Sequence, residues 1–175
     1  MIHLKKYVFF IAQPYIVVGA LIAKDGKILL LKENFLPDKG KWNIPAGKLD
    51  YGENPIDGVK REVFEESGLK FTPKAILGLH SIHRKDVPAK NSSTHVLRII
   101  FTGEFSGELT NEHGEMLDGE LEIAEFAWLS LEEILAIDDS LMRYHDLKDY
   151  IRDFLANKTY PLELITHLVQ PPVAK

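Results

Sequence analysis

Residues 47–69, GKLDYGENPIDGVKREVFEESGL, place several acidic side chains in what reads as one short helix. Glu62, Glu65 and Glu66 fall within five positions. Spacings of three and four put side chains on the same face of a helix. Like charges at these spacings weaken a helix by about 0.2–0.5 kcal/mol per pair. The pattern therefore predicts that something cationic lies among the acids.

Local chemistry specifies both ends of this helix. Asn54 is suited to the N-cap, and Pro55 is suited to the first helical position. Gly68 is suited to the residue just past the C-terminal end. An apolar stripe that can pack on a sheet is formed by Ile56, Val59 and Val63. The acids are thus predicted to point away from this packed face.

Strand-like stretches lie on both sides of the acidic helix. Residues 15–33, YIVVGALIAKDGKILLLKE, read as two aliphatic strands joined at Asp25 and Gly26, a strong hairpin signal. Later strands are predicted within residues 74–82, 93–105 and 121–131. Ser130 and Glu133 form a capping box that opens a short helix. Because strands and helices are interleaved, we expect an α/β fold with a mixed sheet and helices on both faces.

The C-terminal part predicts a last amphipathic helix over about residues 140–156, followed by a tail. Its inner side is predicted to carry Leu147, Ile151, Phe154 and Leu155. The chain has 175 residues, with 45% hydrophobic and 27% charged residues, which is ordinary globular composition. We therefore expect a single domain over residues 1–175, with the C-terminal helix and tail from about residue 140.

Charge and composition exclude several classes of partner. A net charge of -5 gives no general attraction for a nucleic-acid polymer, although a small phosphate compound held through metal ions is compatible with it. No apolar run reaches the ~20 residues of a membrane span. The absence of cysteine excludes disulfides and thiol nucleophiles, and it is compatible with a reducing cytoplasm. We expect a cytoplasmic protein. A homodimer is compatible with the sequence.

The spacing of the acidic stretch resembles the complete signature of the Nudix hydrolases. All the fixed positions of that signature are matched, namely Gly47, Glu53, Arg61, Glu62, Glu65, Glu66 and Gly68, with apolar Val63 and Leu69. This many fixed residue types at fixed spacing is a specific signal. The resemblance implies a Nudix-type α/β/α sandwich. It also implies metal-dependent hydrolysis of diphosphate linkages in small phosphate compounds.

Carried over residue by residue, the resemblance implies a metal site. Its ligands are Glu62, Glu65, Glu66 and the main-chain carbonyl of Ala46. A hard cation such as Mg²⁺, with Mn²⁺ as a substitute, takes such oxygen ligands. Either Glu62 or a later acid takes the proton from the attacking water, and Glu122 is the first candidate for that acid, with Glu120 and Asp118 behind it.

Other matched positions imply supporting roles. The resemblance pairs Arg61 with Glu53, which orients the helix, and an arginine there also offsets repulsion among the acids. Lys48 follows the signature glycine closely enough to meet a phosphate, and Arg84 is expected to attract an anionic substrate. The implied catalytic set is Glu62, Glu65, Arg61, Glu53 and Glu122.

Three substrate hypotheses follow from the resemblance. The stretches WNIPAGKLDYGE, FAWLSLEEI and YPLELI look like the NudJ-like phosphatase branch. That branch implies release of phosphate from nucleoside tri- or diphosphates or from a thiamine-precursor pyrophosphate. The alternatives are a pyrophosphatase acting on ADP-ribose, a dinucleotide or an oxidised nucleotide, and a non-catalytic ligand-sensing module. The complete set of glutamates argues against the sensing module.

Overall fold

A computed structural model describes residues 14–83, 95–114, 116–117 and 119–169. Two residues to which the sequence analysis gave a role, Arg84 and Asp118, lie outside the described residues. Within these ranges no helix is both long and apolar enough to cross a membrane.

The strands form two larger sheets and one small ribbon. They are β1 (Tyr15–Leu21), β2 (Ala23–Lys24), β3 (Lys27–Glu33), β4 (Trp42–Asn43), β5 (Ala46–Lys48), β6 (Lys70–His83), β7 (His95–Ser106), β8 (Met116–Leu117), β9 (Glu120–Leu121) and β10 (Ile123–Ser130). The first sheet has the order β5-β1-β7-β6, in which β1 and β7 run parallel and the other pairs are antiparallel. The second has the order β10-β3-β2, with β4 also paired to β3. The predicted mixed sheet is confirmed.

The predicted hairpin turn joins β2 to β3. Asp25 and Gly26 have φ angles of 50° and 75°, which suits a tight turn whose twist matches that of the flanking strands. Lys24 pairs with Lys27 across the turn. The turn places β3, and with it Glu33 at its end, beside β10 and β4.

Two of the three helices lie on opposite faces of the first sheet, and the other contacts β10 of the second sheet. The three helices are α1 (Pro55–Ser67), α2 (Leu131–Ala136) and α3 (Leu147–Leu155). Val59 and Val63 of α1 share one core cluster with Phe101 of β7. Ile151 of α3 shares another cluster with Ile100, the neighbour of Phe101 on the same strand. Because successive strand residues point to opposite faces, the predicted covering of both faces is confirmed.

The last helix is shorter than predicted. A 3₁₀ turn spans Asp139–Leu141, and α3 begins only at Leu147. Between them Met142 forms a bridge with Trp42, and the main-chain N–H of Arg143 donates to the carbonyl of Trp42 at 2.9 Å. This extended pairing with a distant strand prevents a helical start at residue 140. Leu155, predicted on the inner side, is half exposed.

Candidate active site

Both ends of α1 have the local chemistry that the sequence predicts. The side-chain Oδ1 of Asn54 accepts a hydrogen bond from the N–H of Ile56 at 2.9 Å. Gly68 adopts a left-handed conformation with φ 72°, and its N–H donates to the carbonyl of Phe64. Since the helix begins and ends at these residues, the register of its glutamates relative to β5 is determined.

Arg61 is the hub of the acidic cluster. Its Nε and Nη2 donate to the two carboxylate oxygens of Glu53, each at 2.9 Å. Its Nη1 donates to Glu62 Oε1 at 2.8 Å and to Glu65 Oε2 at 3.0 Å. Nη2 also donates to the main-chain carbonyl of Lys48 at 3.0 Å. The predicted pairing of Arg61 with Glu53 is therefore present, and it ties α1 to β5.

The hydrogen bonds between Arg61 and Glu53 keep both groups charged. The hydrogen bonds from Arg61, assisted by one from the N–H of Asp50, hold the pKa of Glu53 below its ordinary value. The same pairing with Glu53, together with the charge of Glu62, raises the pKa of Arg61 although burial opposes it. A bidentate arginine–carboxylate pair is among the stronger hydrogen-bonded pairs in proteins. Arg61 thus acts as a permanent cation among the acids.

Glu62 and Glu66 are buried carboxyl groups. Glu66 is 3% exposed, and its Oε2 accepts a hydrogen bond from the N–H of Ala46 at 2.7 Å. Burial, followed by the charges of Glu33 and Glu122, raises the pKa of Glu66 well above its ordinary value. Burial also raises the pKa of Glu62 to about 7, although Arg61 opposes the shift. Both groups would bind a divalent cation in place of protons.

We expect the metal-free protein to lose stability as the pH rises. The pKa of Glu62 in the folded protein, about 7, lies above its ordinary value of 4.5. Between these two pH values the folded state holds a proton that the unfolded state has lost. The contribution of Glu62 to the free energy of unfolding is therefore complete below pH ~4.5, and it is lost as the pH rises through ~7. At about 1.4 kcal/mol per pKa unit, it amounts to at most ~3.5 kcal/mol.

Urea unfolding of protein treated with EDTA, at pH 5, 6 and 8, measures this effect. The free energy of unfolding should fall between pH 5 and pH 8, and Glu62→Gln should flatten that fall. Mg²⁺ added at pH 8 should restore stability, because the cation compensates the ionised carboxylates. An unchanged slope in the Glu62→Gln variant would contradict the assignment.

Gly47 leaves the space that Glu62 occupies. A Cβ atom at position 47 would lie 2.1 Å from Glu62 Oε2 and 2.3 Å from its carboxyl carbon. Both distances are far below van der Waals contact. The signature glycine is thus required here because the carboxylate of Glu62 lies directly against the backbone of β5.

Replacing Gly47 with alanine should displace the Glu62 carboxylate. We expect weaker divalent-cation binding with little loss of stability, because the atoms in the way are the movable end of the Glu62 side chain. The matched control is Gly114→Ala, because a Cβ there would meet its nearest atoms at 3.4 Å. Mn²⁺ titration by electron paramagnetic resonance and urea unfolding measure the two effects. Wild-type Mn²⁺ affinity in Gly47→Ala would show that the Glu62 position is not needed.

These residues surround a cavity of about 420 Å³, which we call the acid cavity. Of the residues predicted for the site, the structure brings together on its walls Ala46, Lys48, Arg61, Glu62, Glu65, Glu66 and Glu122. Glu53 lies behind Arg61, as its predicted orienting role requires. Glu120 instead pairs with Lys39 at an exposed position, at 3.1 Å. Lys48 Nζ lies 5.4 Å from the centre of the Tyr15 ring.

The donor set fits a hard divalent cation. Within the described ranges no three His, Cys, Asp or Glu side chains are already arranged around a common metal position, and Arg61 donates to Glu62 and Glu65. Each carboxylate nevertheless has further lone pairs beyond the one engaged by Arg61. Oxygen ligands of this kind are what Mg²⁺ prefers. The space at Gly47 keeps the Glu62 carboxylate in this donor set, since a side chain there would displace it.

The sequence analysis missed two charged residues at this site. Arg143 lines the acid cavity, and its Nη1 donates to Glu33 Oε1 at 2.6 Å. Glu33 is 4% exposed and raises the pKa of Glu66 through its charge. Neither residue belongs to a recognisable motif. A glutamate ending an otherwise apolar strand is the one signal that could have pointed to Glu33.

Comparison with known proteins gives one consistent family. A NUDIX domain family model matches residues 13–154. The chain is 35% identical to the ADP-ribose pyrophosphatase of Methanocaldococcus jannaschii, over 85% of this chain and 79% of that protein. It is 29% identical to phosphatase NudJ of Escherichia coli K12, over 87% of this chain and 91% of that protein.

Solved structures agree with this family. The structure is similar to a NUDIX hydrolase from Nitrosomonas europaea with a TM-score of 0.71 and 33% identity. The match covers 89% of this chain and 98% of that one.

Proposed function

Since the chain belongs to the Nudix family of hydrolases, we propose that it uses Mg²⁺ to hydrolyse a diphosphate linkage in a small compound that resembles a nucleoside phosphate. The observation that carries this proposal is the acid cavity. Three glutamates of α1 lie on its walls, and Arg61 joins two of them to β5. A solvated acidic face would require neither the burial of Glu66 nor the open space at Gly47.

Glu62, Glu65, Glu66 and the carbonyl of Ala46 would hold the cation. When bound, a divalent cation supplies a Lewis acid that neutralises phosphate charge and lowers the pKa of an attacking water. Mn²⁺ is expected to substitute for Mg²⁺, because both accept oxygen ligands.

The remaining roles belong to side chains of the chain itself. Glu62 and Glu122 both line the acid cavity, and a proton acceptor has to lie within hydrogen-bond reach of the attacking water. We assign the acceptance of the water proton to Glu62 or to Glu122 across the cavity. Glu53 and Arg61 keep the glutamates in register. Lys48 lies at the cavity wall, where its ammonium group can meet a phosphate.

Two substrates are the leading candidates. ADP-ribose is favoured by the 35% identity to an ADP-ribose pyrophosphatase. Nucleoside tri- or diphosphates, or a thiamine-precursor pyrophosphate, are favoured by the similarity to phosphatase NudJ, which extends over 91% of that protein. The first reaction gives two monophosphates, and the second releases inorganic phosphate.

Hydrolysis of both classes in H₂¹⁸O with Mg²⁺ separates these candidates. Phosphorus NMR identifies the products, and the isotope shift identifies the phosphorus atom that water attacks. Monophosphates from ADP-ribose support the pyrophosphatase, whereas labelled inorganic phosphate from nucleoside diphosphates supports the phosphatase. Saturable binding of one compound without turnover would instead favour the sensing module. The cytoplasmic location and the homodimer stay predictions.

A further inference from the structure

A second cavity lies next to the acid cavity and shares a wall residue with it. It has a volume of about 820 Å³, and we call it the distal cavity. Its walls come from residues 140–146, from the end of β6 and from Lys41. Arg143 lines both cavities. The segment between the 3₁₀ turn and α3 therefore contributes to the walls of both spaces.

Arg143 is held in place by its side chain and its main chain together. Its Nη1 donates to Glu33 Oε1 at 2.6 Å, and its Nε lies 3.3 Å from Asp38 Oδ2. Both carboxylates are buried, at 4% and 5% exposure. The main-chain N–H of Arg143 is bonded to Trp42. A guanidinium anchored in this way loses little further conformational freedom when it binds a ligand.

Part of this guanidinium group remains available for a ligand. About a quarter of the side chain, 25%, is exposed, and both spaces that it borders are cavities. Its Nε is buried against Asp38 and is closed to a ligand, and the described residues show a side-chain hydrogen bond from Nη1 alone. Arg61, the other arginine on the acid cavity, already donates from all three of its nitrogen atoms. Among the described arginines at the acid cavity, Arg143 is therefore the one with donors to spare.

The charge of Arg143 is secure at any working pH. Burial disfavours the charged form, but the charge of Glu33 and the hydrogen bond to it outweigh this effect and raise the pKa of Arg143. A planar guanidinium matches two phosphate oxygens at once. Arg143 and the glutamates of α1 line the same cavity, so the next oxygens of a diphosphate whose metal-bound end lies at α1 would enter a space that Arg143 borders.

We propose that Arg143 binds a phosphate of the substrate and that the distal cavity takes the nucleoside attached to that phosphate. The inference rests on the proposed function and extends it. The size of the distal cavity suits a nucleoside, and its lining combines hydroxyl, imidazole and apolar groups from Ser81, His145 and Met142. Such a mixed lining can contact both a base and a ribose. The diphosphate thus passes Arg143 on its way from the glutamates to the nucleoside.

The test uses α,β-methylene-ADP, which has the nucleoside and a diphosphate that cannot be cleaved between its phosphorus atoms. Isothermal titration with Mg²⁺ present gives its affinity for the wild type and for Arg143→Lys. We expect the lysine variant to bind the probe at least about tenfold more weakly than the wild type. A guanidinium that can donate two charge-assisted hydrogen bonds to a phosphate is replaced by an ammonium that acts as a point charge. The affinity for Mn²⁺ alone should not change. The matched control is Arg152→Lys on α3, whose side chain is exposed.

Two additions keep the result interpretable. Urea unfolding shows whether each variant is folded. Glu33→Gln/Arg143→Gln removes both charges of the pair at once, so that Glu33 is not left as an unpaired buried charge, and Asp38 keeps its hydrogen bond from Lys41. Amide NMR shifts caused by the probe should include residues 81–83 and 140–146. Shifts confined to α1 and β5 would overturn the nucleoside assignment.

The outcomes separate this inference from the proposed function. Unchanged affinity in Arg143→Lys, or no binding of the probe by the wild type, would overturn the role of Arg143. Binding that depends on Arg143 in a protein that hydrolyses none of the tested compounds would support the contact and refute the reaction. Hydrolysis that depends on Glu65 but not on Arg143 would support the reaction and refute the contact with Arg143.

Discussion

Replacing Glu65 with glutamine should lower kcat by about 10³-fold while the protein still unfolds cooperatively. A Lewis acid contributes several kcal/mol of transition-state stabilisation, and each ~1.4 kcal/mol corresponds to a factor of ten in rate. The fold should tolerate the change, because the Glu65 side chain is 39% exposed and contacts only Arg61 among the ion pairs of the described residues. Glutamine keeps the shape and removes the charge that holds a cation.

Glu66→Gln should have a similar effect on turnover for a related reason. Glu66 is buried with a raised pKa, so a neutral amide of the same shape suits the metal-free fold. The control is Asp57→Asn, on the same helix but 65% exposed and outside the acid cavity. Steady-state kinetics at saturating Mg²⁺ and Mn²⁺ titration give activity and cation affinity separately. If both glutamine variants kept near wild-type turnover, the assigned ligands would be wrong.

Arg61→Ala should damage both stability and catalysis. The change removes hydrogen bonds to three carboxylates and to the carbonyl of Lys48. Glu53 and Glu62, whose side chains are 17% and 10% exposed, would be left without their cation. Removing one partner of a buried ion pair typically costs several kcal/mol, and since this network is partly exposed we expect about 3 kcal/mol.

Mg²⁺ distinguishes the electrostatic part of that loss from the structural part. The cation should restore some stability to Arg61→Ala, because it offsets the repulsion between Glu62 and Glu65. Mg²⁺ should not replace the hydrogen bonds by which Arg61 joins Glu53 to the Lys48 carbonyl of β5. Arg61→Lys keeps the charge without the fork, so an intermediate loss is expected.

Arg152→Ala is the control for Arg61→Ala, because Arg152 is 58% exposed and pairs only with Asp149 among the described residues. Its cost should stay within about 1 kcal/mol. Urea unfolding and steady-state kinetics measure both variants. An Arg61→Ala protein with wild-type stability and wild-type turnover would refute the orienting role.

The ends and the register of α1 could be read from residues close together in the chain. Asn54 and Gly68 act on backbone groups within four positions of themselves, so their chemistry does not depend on the rest of the fold. The same is true of the capping box of Ser130 and Glu133 and of the turn at Asp25. Because the glutamates recur at helical spacing, their common face followed directly from the helix.

The C-terminal segment could not be read in this way. Residues 140–146 carry an apolar pattern that suits a helix, but a 3₁₀ turn ends at Leu141, and the backbone at Met142 and Arg143 then pairs with Trp42. That partner is distant in sequence, and no local pattern predicts the pairing. The amphipathic signal was therefore right for α3 and wrong for the residues before it.

The identity of the acid cluster, the hairpin and the α/β class thus followed from local sequence, because caps, turns and periodicity act over a few residues. The place of Arg143 did not, because its partner Glu33 is 110 positions away. Only the folded chain brings Glu33 of β3 into contact with Arg143 of the segment before α3, which lines the acid cavity. Contacts between such distant residues depend on how the sheets and helices pack, and so the position of Arg143 at the cavity wall was decided by the tertiary structure alone.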